Sequence, residues 1–277
     1  MRLRSLLLVP GARRERMEKA LGLGADALIH DLEDAVAPQA KPAARERTAA
    51  FLRTAERRTR LFVRVNPLDS GFIDDDLAGG LDAKPDALIL PKAEGAVSVE
   101  VLSARVPGIP ILPIATETPA AIFELGSYRT VPHLILGLTW GAEDLPAAIG
   151  ATSAREENGR FAPPYEMARS LTLFGAHAAG VRAIDTVYPA FRDLDGLAEY
   201  ARRARRDGFD GMMAIHPTQV PVINEAFTPT ARELAEAQAT IDAFAANPGQ
   251  GALTLDGRMI DAPHLKQARR LLALAGE

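Results

Sequence analysis

The stretch Ile109-Pro110-Ile111-Leu112-Pro113-Ile114-Ala115-Thr116-Glu117 runs from a continuous apolar segment to a carboxylate. A second apolar segment, Leu134-Ile135-Leu136-Gly137-Leu138, is followed shortly afterwards by Asp144. Short runs that are apolar throughout, rather than alternating, are typical of parallel strands that are buried on both faces. Glu117 and Asp144 are therefore predicted to lie where two buried strands reach the surface.

The same pattern extends over most of the chain. Eight short apolar runs alternate with stretches of helical character, such as residues 13–23 and 41–57. Helices of this kind provide the crossovers that parallel strands require, so eight such units predict an α/β fold closed into a (β/α)8 TIM barrel. The eight runs are residues 6–9, 27–29, 61–65, 87–90, 109–114, 134–138, 183–187 and 212–215.

The chain continues beyond what a barrel of this kind needs. A helix is predicted over residues 229–246, followed by a break at 247–251, a turn at Asp256-Gly257 and a final helix over 263–274. We therefore expect a barrel domain at residues 1–228 and a C-terminal helical extension at residues 229–277. Glycines and prolines in residues 147–164 predict a loop that could act as a flap over the site.

Composition excludes several classes of protein. The 277 residues contain no cysteine, which excludes disulfides, thiolate metal sites and a cysteine nucleophile, and makes oxygen ligands the default for any metal. The formal net charge of −4 gives no basic excess for binding nucleic acid. The apolar segment at residues 5–9 is too short for a signal peptide, and no segment approaches the roughly 20 apolar residues of a membrane span. We expect a soluble, cytoplasmic protein without nucleic-acid or membrane partners.

Polar residues at the predicted strand ends identify a candidate site. In a TIM barrel the active site lies at the carboxyl ends of the strands, so these residues should converge on one mouth. Two carboxylates, with water and substrate completing the shell, suit Mg²⁺. A helix cap or salt bridge at Glu117, a favourable helix-dipole position for Asp144, and a structural ion pair from Arg64 to Glu33 or Asp34 stay open as alternatives. The converging residues are Glu33, Arg64, Lys92, Glu117 and Asp144, and Asp31, Asp34 and Asn66 are further polar residues at strand ends.

A set of motifs spans the chain nearly end to end. The motifs are Arg4-Ser5-Leu6-Leu7-Leu8-Val9-Pro10-Gly11, Asp31-Leu32-Glu33-Asp34-Ala35-Val36, Arg64-Val65-Asn66-Pro67, Leu90-Pro91-Lys92, Glu117-Thr118, Gly141-Ala142-Glu143-Asp144-Leu145, Ala183-Ile184-Asp185-Thr186-Val187-Tyr188 and Ala214-Ile215-His216-Pro217. Together they resemble the citrate lyase β-subunit-like lyases of the HpcH/HpaI aldolase group, which include malyl-CoA and citramalyl-CoA lyases.

The resemblance implies roles for individual residues. Glu117 and Asp144 would bind Mg²⁺, with Arg64 at the substrate oxygens. Residues 256–263 look like the family's lid, whose aspartate reaches a neighbouring subunit's site as acid or base, so Asp261 inherits that role. Proteins of this family form trimers or hexamers, which would make assembly part of catalysis. Further expected residues are Glu33 and Asp34, which would hold metal waters or orient Arg64, and Arg13, Arg16 and Lys19, which would contact CoA.

The expected activity is a Mg²⁺-dependent carbon–carbon lyase acting on a 3-hydroxy-carboxyacyl-CoA thioester of the citryl-, citramalyl- or malyl-CoA type. The products would be acetyl-CoA and a 2-oxo acid, or the reaction would run in reverse. Two alternatives stay open: an aldolase that splits a 2-keto-4-hydroxy acid without CoA, and a noncatalytic acyl-CoA-binding subunit. The sequence leaves undecided which thioester is used, whether an acyl carrier subunit presents it, the physiological direction, and the choice between trimer and hexamer.

Overall fold

Eight parallel strands form a single sheet in the computed structural model, which describes residues 2–80 and 83–276. Their order is β5-β4-β3-β2-β1-β8-β7-β6, so chain neighbours are also sheet neighbours. The strands are β1 (Ser5–Pro10), β2 (Ala27–Asp31), β3 (Arg60–Arg64), β4 (Ala87–Leu90), β5 (Ile111–Pro113), β6 (Gly137–Thr139), β7 (Arg182–Asp185) and β8 (Gly211–Ala214).

The two outer strands of this order, β5 and β6, meet and close the sheet into a barrel. Parallel bridges join Ile111 to Ile135 and Ile114 to Thr139, and the Ala115 backbone N–H donates to the Thr139 carbonyl at 2.8 Å. The predicted (β/α)8 fold is confirmed, and every predicted apolar run overlaps one of the eight strands. The largest error is at β6, which begins three residues later than the apolar run at 134–138.

Helices separate the strands and pack outside them. The first nine are α1 (Arg14–Ala20), α2 (Lys41–Thr54), α3 (Ile73–Gly80), α4 (Ala96–Arg105), α5 (Pro119–Glu124), α6 (Asp144–Ala148), α7 (Pro163–Ala179), α8 (Leu194–Asp207) and α9 (Gln219–Ala226). The predicted helix over 41–57 ends three residues early, because Ala55 adopts extended backbone angles. Among the described residues, no helix is both long and apolar enough to cross a membrane.

The barrel interior is filled by side chains from alternate strand positions. Ile29 of β2 and Phe62 of β3 point into this core, and they pair across the two strands. Because side chains alternate with a period of two, Asp31 and Arg64, two residues further on, share the same inward direction and also pair in register. The strand geometry thus places a carboxylate and a guanidinium side by side at the barrel mouth.

Residues 3–224 form one compact unit, and Arg2 with residues 225–276 forms a second. The second unit contains α10 (Ala231–Ala246), a hairpin of β9 (Ala252–Leu255) and β10 (Arg258–Asp261), and α11 (Ala262–Ala275). Asp256 and Gly257 both have positive φ, as tight hairpin turns require. The extension is therefore not purely helical, since the predicted turn lies in a short hairpin. Its function as a lid stays a prediction.

Candidate active site

A cavity of about 170 Å³ opens at the carboxyl ends of the strands. Its floor is apolar. The described residues at its rim include four acids, Asp34, Glu117, Glu143 and Asp144, and the guanidinium of Arg64. The carboxyl oxygens are ligand atoms of the kind that a hard divalent cation binds. The lining residues are Leu8, Ile29, Asp34, Arg64, Ile89, Ile114, Glu117, Gly141, Ala142, Glu143, Asp144, Thr186, Val187, Met213 and Ile215.

Arg64 is held at the mouth by two carboxylates. Its Nε and Nη2 donate to the two oxygens of Asp31 at 2.8 and 2.7 Å, and its Nη1 lies 2.8 Å from Glu33 Oε2. Burial acts against the charge, but the hydrogen bonds and charges of Asp31 outweigh burial and raise the pKa of Arg64. The guanidinium is fixed in place, and it still lines the cavity. The structural ion pair from Arg64 to Glu33 that the sequence left open is present. Asp31, which that alternative did not name, is a second partner and makes two hydrogen bonds to the guanidinium.

Glu33 links Arg64 to Lys92. Its Oε1 accepts from Lys92 Nζ at 3.2 Å, while its other oxygen faces Arg64. Burial raises the pKa of Glu33, and the neighbouring guanidinium and ammonium oppose that rise. Asp34, by contrast, has an exposed side chain whose nearest oxygen is 3.8 Å from Arg64 Nη1. Of the two predicted supporting acids, Glu33 therefore orients Arg64 directly and Asp34 lies at the exposed edge of the cavity.

Glu117 is buried at the barrel mouth. Its Oε2 accepts the Lys92 backbone N–H at 2.6 Å. Burial, with smaller contributions from Asp144 and Glu33, raises the pKa of Glu117 to about 8. The helix-cap alternative for Glu117 is wrong, because Thr118 is the N-cap of α5 and its Oγ1 accepts from the Ala121 N–H. The carboxylate is available to a ligand in the cavity.

Asp144 is the first residue of α6 and lines the same cavity. Its Oδ1 lies 3.1 Å from Lys92 Nζ, so Lys92 contacts Asp144 through its side chain and Glu117 through its backbone. A position in the first helical turn also suits an acid electrostatically, so the helix-dipole reading of Asp144 is compatible with the site.

The residues fit a divalent cation with oxygen ligands. The described part of the chain contains no group of three or more His, Asp or Glu side chains arranged to hold a metal. Mg²⁺ does not need such a group, since it is commonly bound by one or two carboxylates and keeps several waters. Glu117 and Asp144 supply two carboxylates on one cavity, and the raised pKa of Glu117 marks a site that a cation would stabilise.

The remaining predicted residues lie at α1 or in the second unit. Arg13, Arg16 and Lys19 are exposed at or on α1, and none of them lines the cavity, so the structure does not bring them to the site. Asp261 belongs to the second unit, where it ends β10 and is the N-cap residue of α11. His264 Nδ1 lies 2.6 Å from Asp261 Oδ1 and 3.2 Å from the Asp261 backbone nitrogen.

The sequence analysis did not predict the contacts of Lys92 and Asp31, and it gave Gly141 no role beyond its place in a motif. A Cβ on Gly141 would lie 2.6 Å from Glu117 Cγ and 2.8 Å from its Oε1, so only glycine leaves room for the carboxylate. The signal for Asp31 was available, because its in-register pairing with Arg64 follows from the strand period. The contact to Gly141 depends on how two loops pack, which no local pattern encodes.

The sequence and fold match known proteins over almost the whole chain. Residues 4–217 match the family model described as HpcH/HpaI aldolase/citrate lyase. A (3S)-malyl-CoA thioesterase of Cereibacter sphaeroides is 37% identical over 98% of this chain and 94% of the relative. The mitochondrial citramalyl-CoA lyase of Mus musculus is 35% identical over 98% and 86%.

Among solved structures, CitE from Mycobacterium tuberculosis in complex with magnesium, acetoacetate and coenzyme A superposes with a TM-score of 0.84. Its sequence identity is 34%, over 99% of this chain and 98% of that one. The resemblance that the motifs indicated is thereby confirmed. The chain belongs to the HpcH/HpaI aldolase/citrate lyase family.

Proposed function

We propose that this protein is a Mg²⁺-dependent lyase that cleaves a 3-hydroxy-carboxyacyl-CoA thioester into acetyl-CoA and a 2-oxo acid, or catalyses the reverse condensation. The observation that carries the proposal is the buried Glu117 beside Asp144, with Arg64 on the same small cavity at the barrel mouth. The relatives named citramalyl-CoA lyase, and the similar structure that contains magnesium and coenzyme A, support the same chemistry.

The cleavage requires charge to be stabilised at two places. The substrate hydroxyl gives its proton to a base as the C–C bond breaks, and the bonding electrons pass to the thioester as an enolate. The enolate carbon then takes a proton and becomes the acetyl methyl group. A dication held by Glu117 and Asp144 would supply Lewis-acid polarisation of the 2-oxo acid oxygens. Arg64, fixed by Asp31 and Glu33, presents its guanidinium to the developing oxyanion.

Asp261 is proposed as the group that exchanges a proton with the acetyl methyl carbon. His264, 2.6 Å away, would orient its carboxylate. In this proposal Asp261 comes from a neighbouring subunit of a trimer or hexamer. Replacement of Asp261 by Ala should abolish deuterium exchange of the acetyl methyl group in acetyl-CoA and leave metal affinity unchanged. Retained exchange would remove Asp261 from the mechanism.

Arg13, Arg16 and Lys19 are proposed to contact the phosphates of CoA. The support is their common position on an exposed basic segment at α1, directly after β1. Replacing all three with Ala should raise the KM for the CoA thioester and leave kcat unchanged. An unchanged KM would exclude this segment as the CoA site. Presentation of the thioester by an acyl carrier subunit is a separate possibility, which a comparison of free CoA and carrier-bound substrate would decide.

Hydrolysis of the thioester is the second candidate, and a specific observation favours it. The relatives from Cereibacter sphaeroides, at 36–37% identity, are named (3S)-malyl-CoA thioesterases. A thioesterase would release free CoA and the hydroxy acid, whereas a lyase keeps the thioester intact in acetyl-CoA. An aldolase acting without CoA fits less well, since the C-terminal unit adds chain that a barrel alone does not need.

The deciding experiment offers citryl-, citramalyl- and malyl-CoA to the purified protein with and without Mg²⁺. Because the chain has no cysteine, a thiol reagent reports only released CoA, while a hydrazone assay reports the 2-oxo acid. The proposal expects 2-oxo acid and acetyl-CoA from at least one substrate, dependence on Mg²⁺, and loss of turnover in Glu117→Gln. Thiol release without 2-oxo acid would establish the thioesterase, and turnover without metal would reject the mechanism.

A further inference from the structure

Lys92 has an unusual backbone conformation directly after β4. Its φ is +51°, in the left-handed region that residues other than glycine rarely adopt. Such strain persists only where the surroundings impose it, and it is concentrated at functional sites. Here the conformation directs the Lys92 N–H to Glu117 Oε2 at 2.6 Å. The strained residue therefore contacts one of the two proposed metal-binding carboxylates through its backbone.

The side chain of the same residue contacts the other carboxylate. Lys92 Nζ is 3.1 Å from Asp144 Oδ1 and 3.2 Å from Glu33 Oε1, and about a third of the side chain is exposed. Glu33 in turn pairs with Arg64 at 2.8 Å. One residue thus joins both proposed metal ligands to the carboxylate that orients the guanidinium.

We propose that Lys92 is a positioning residue whose ammonium is the resident counter-ion of the acidic cluster, bound to Asp144 without a metal and displaced from it when a dication binds. The inference rests on the proposed function, because it takes Glu117 and Asp144 as metal ligands. After displacement the ammonium keeps Glu33 as its partner. The backbone N–H continues to hold Glu117 in both states.

Electrostatics supports exchange rather than simultaneous binding. Two cations that share one carboxylate oxygen repel each other strongly at distances of a few ångströms inside a protein. An ammonium on a flexible stem can move by rotation about its side-chain bonds, whereas Asp144 has a short side chain on the first residue of α6. In the metal-free enzyme the Lys92 ammonium would therefore keep the acids in their arrangement. When a metal binds, the ammonium would leave Asp144, and this competition would lower the metal affinity.

The test uses Lys92→Met, which removes the charge and keeps the backbone N–H, and Lys92→Arg, which keeps the charge. Lys84→Met is the matched control, since Lys84 is an exposed lysine with a similar φ of +49° that does not line the cavity. Mn²⁺ affinity is measured by calorimetry on chelator-treated protein. Thermal unfolding is followed with chelator and with saturating Mn²⁺.

Lys92→Met is expected to bind Mn²⁺ on the order of tenfold more tightly than the wild type, because the competing charge is gone. Its unfolding temperature should fall in chelator and recover with Mn²⁺, since the metal replaces the ammonium. Lys92→Arg and Lys84→Met should bind Mn²⁺ within about twofold of the wild type.

Equal or weaker Mn²⁺ binding by Lys92→Met, or the same loss of unfolding temperature with and without metal, would overturn the inference and leave Lys92 with a purely structural role. If Lys92→Met does not fold, Lys92→Gln takes its place with the same expectations. Wild-type protein that binds no Mn²⁺ would instead refute the proposed function, so the two failures are distinguishable.

Discussion

Gly141→Ala tests whether the position of Glu117 determines metal binding. The added Cβ would lie 2.6 Å from Glu117 Cγ, so the side chain must move by about 0.8 Å to reach an ordinary contact of 3.4 Å. Metal sites tolerate only about 0.2 Å in ligand distance. The displacement should also lengthen the 2.6 Å hydrogen bond from the Lys92 N–H to Glu117. We therefore expect Mn²⁺ affinity to fall about 10- to 100-fold, which corresponds to about 1.4–2.7 kcal/mol.

The assay is calorimetric titration of Mn²⁺ into metal-free protein, with folding checked by circular dichroism. Overpacking at Gly141 should lower the free energy of unfolding by about 1–3 kcal/mol, so the titration is done well below the unfolding temperature. Gly126→Ala is the control, because a Cβ at this exposed glycine meets no atom within 4 Å. Affinity of Gly141→Ala within twofold of the wild type would refute the reasoning.

Three further predictions concern the buried titratable side chains of Glu117, His30 and Arg64. Because burial raises the pKa of Glu117 to about 8, metal binding at pH 7 should release about one proton, measured by calorimetry in buffers of different ionisation enthalpy; no release would contradict it. Burial lowers the pKa of His30 from 6.5 in the unfolded state to about 4 in the folded state. Between pH 4 and pH 6.5 the unfolded state therefore binds one proton more than the folded state, and stability falls as the pH is lowered. The free energy of urea unfolding should fall by about 2 kcal/mol more from pH 7 to pH 5 in the wild type than in His30→Leu, and equal losses would exclude His30. Arg64→Leu leaves Asp31 buried without its guanidinium partner and should lower the free energy of unfolding by about 3–5 kcal/mol. Arg14→Leu, which removes an exposed ion pair with Glu18, should lower it by about 0.5 kcal/mol or less. Similar losses in the two variants would contradict the role of burial.

The barrel could be predicted from the sequence because each strand is buried on both faces. Residues 87–90 illustrate this, since the apolar run and the observed strand β4 have the same bounds. The hairpin of β9 and β10 could not be predicted in the same way. Its strands are only four residues long and partly exposed, so neither carries a continuous apolar signal.

For the site, the sequence predicted which residues converge and missed how they are connected. Glu117, Asp144 and Arg64 follow from strand ends, and all three line one cavity. The bridge made by Lys92 depends on a left-handed backbone and on two side-chain distances, which no sequence pattern encodes. The basic residues of α1 do not line the cavity, and their contact with CoA stays a prediction.

Crystals soaked in Mn²⁺ and recorded for anomalous scattering test the central claim most directly, which is that Glu117 and Asp144 together bind a dication. The account predicts one strong anomalous peak in the barrel-mouth cavity, within direct coordination distance of a carboxylate oxygen from each residue, with water completing the shell. The same crystals of Glu117→Gln should show a weakened peak or none. A wild-type map without a peak between these two side chains would contradict the account.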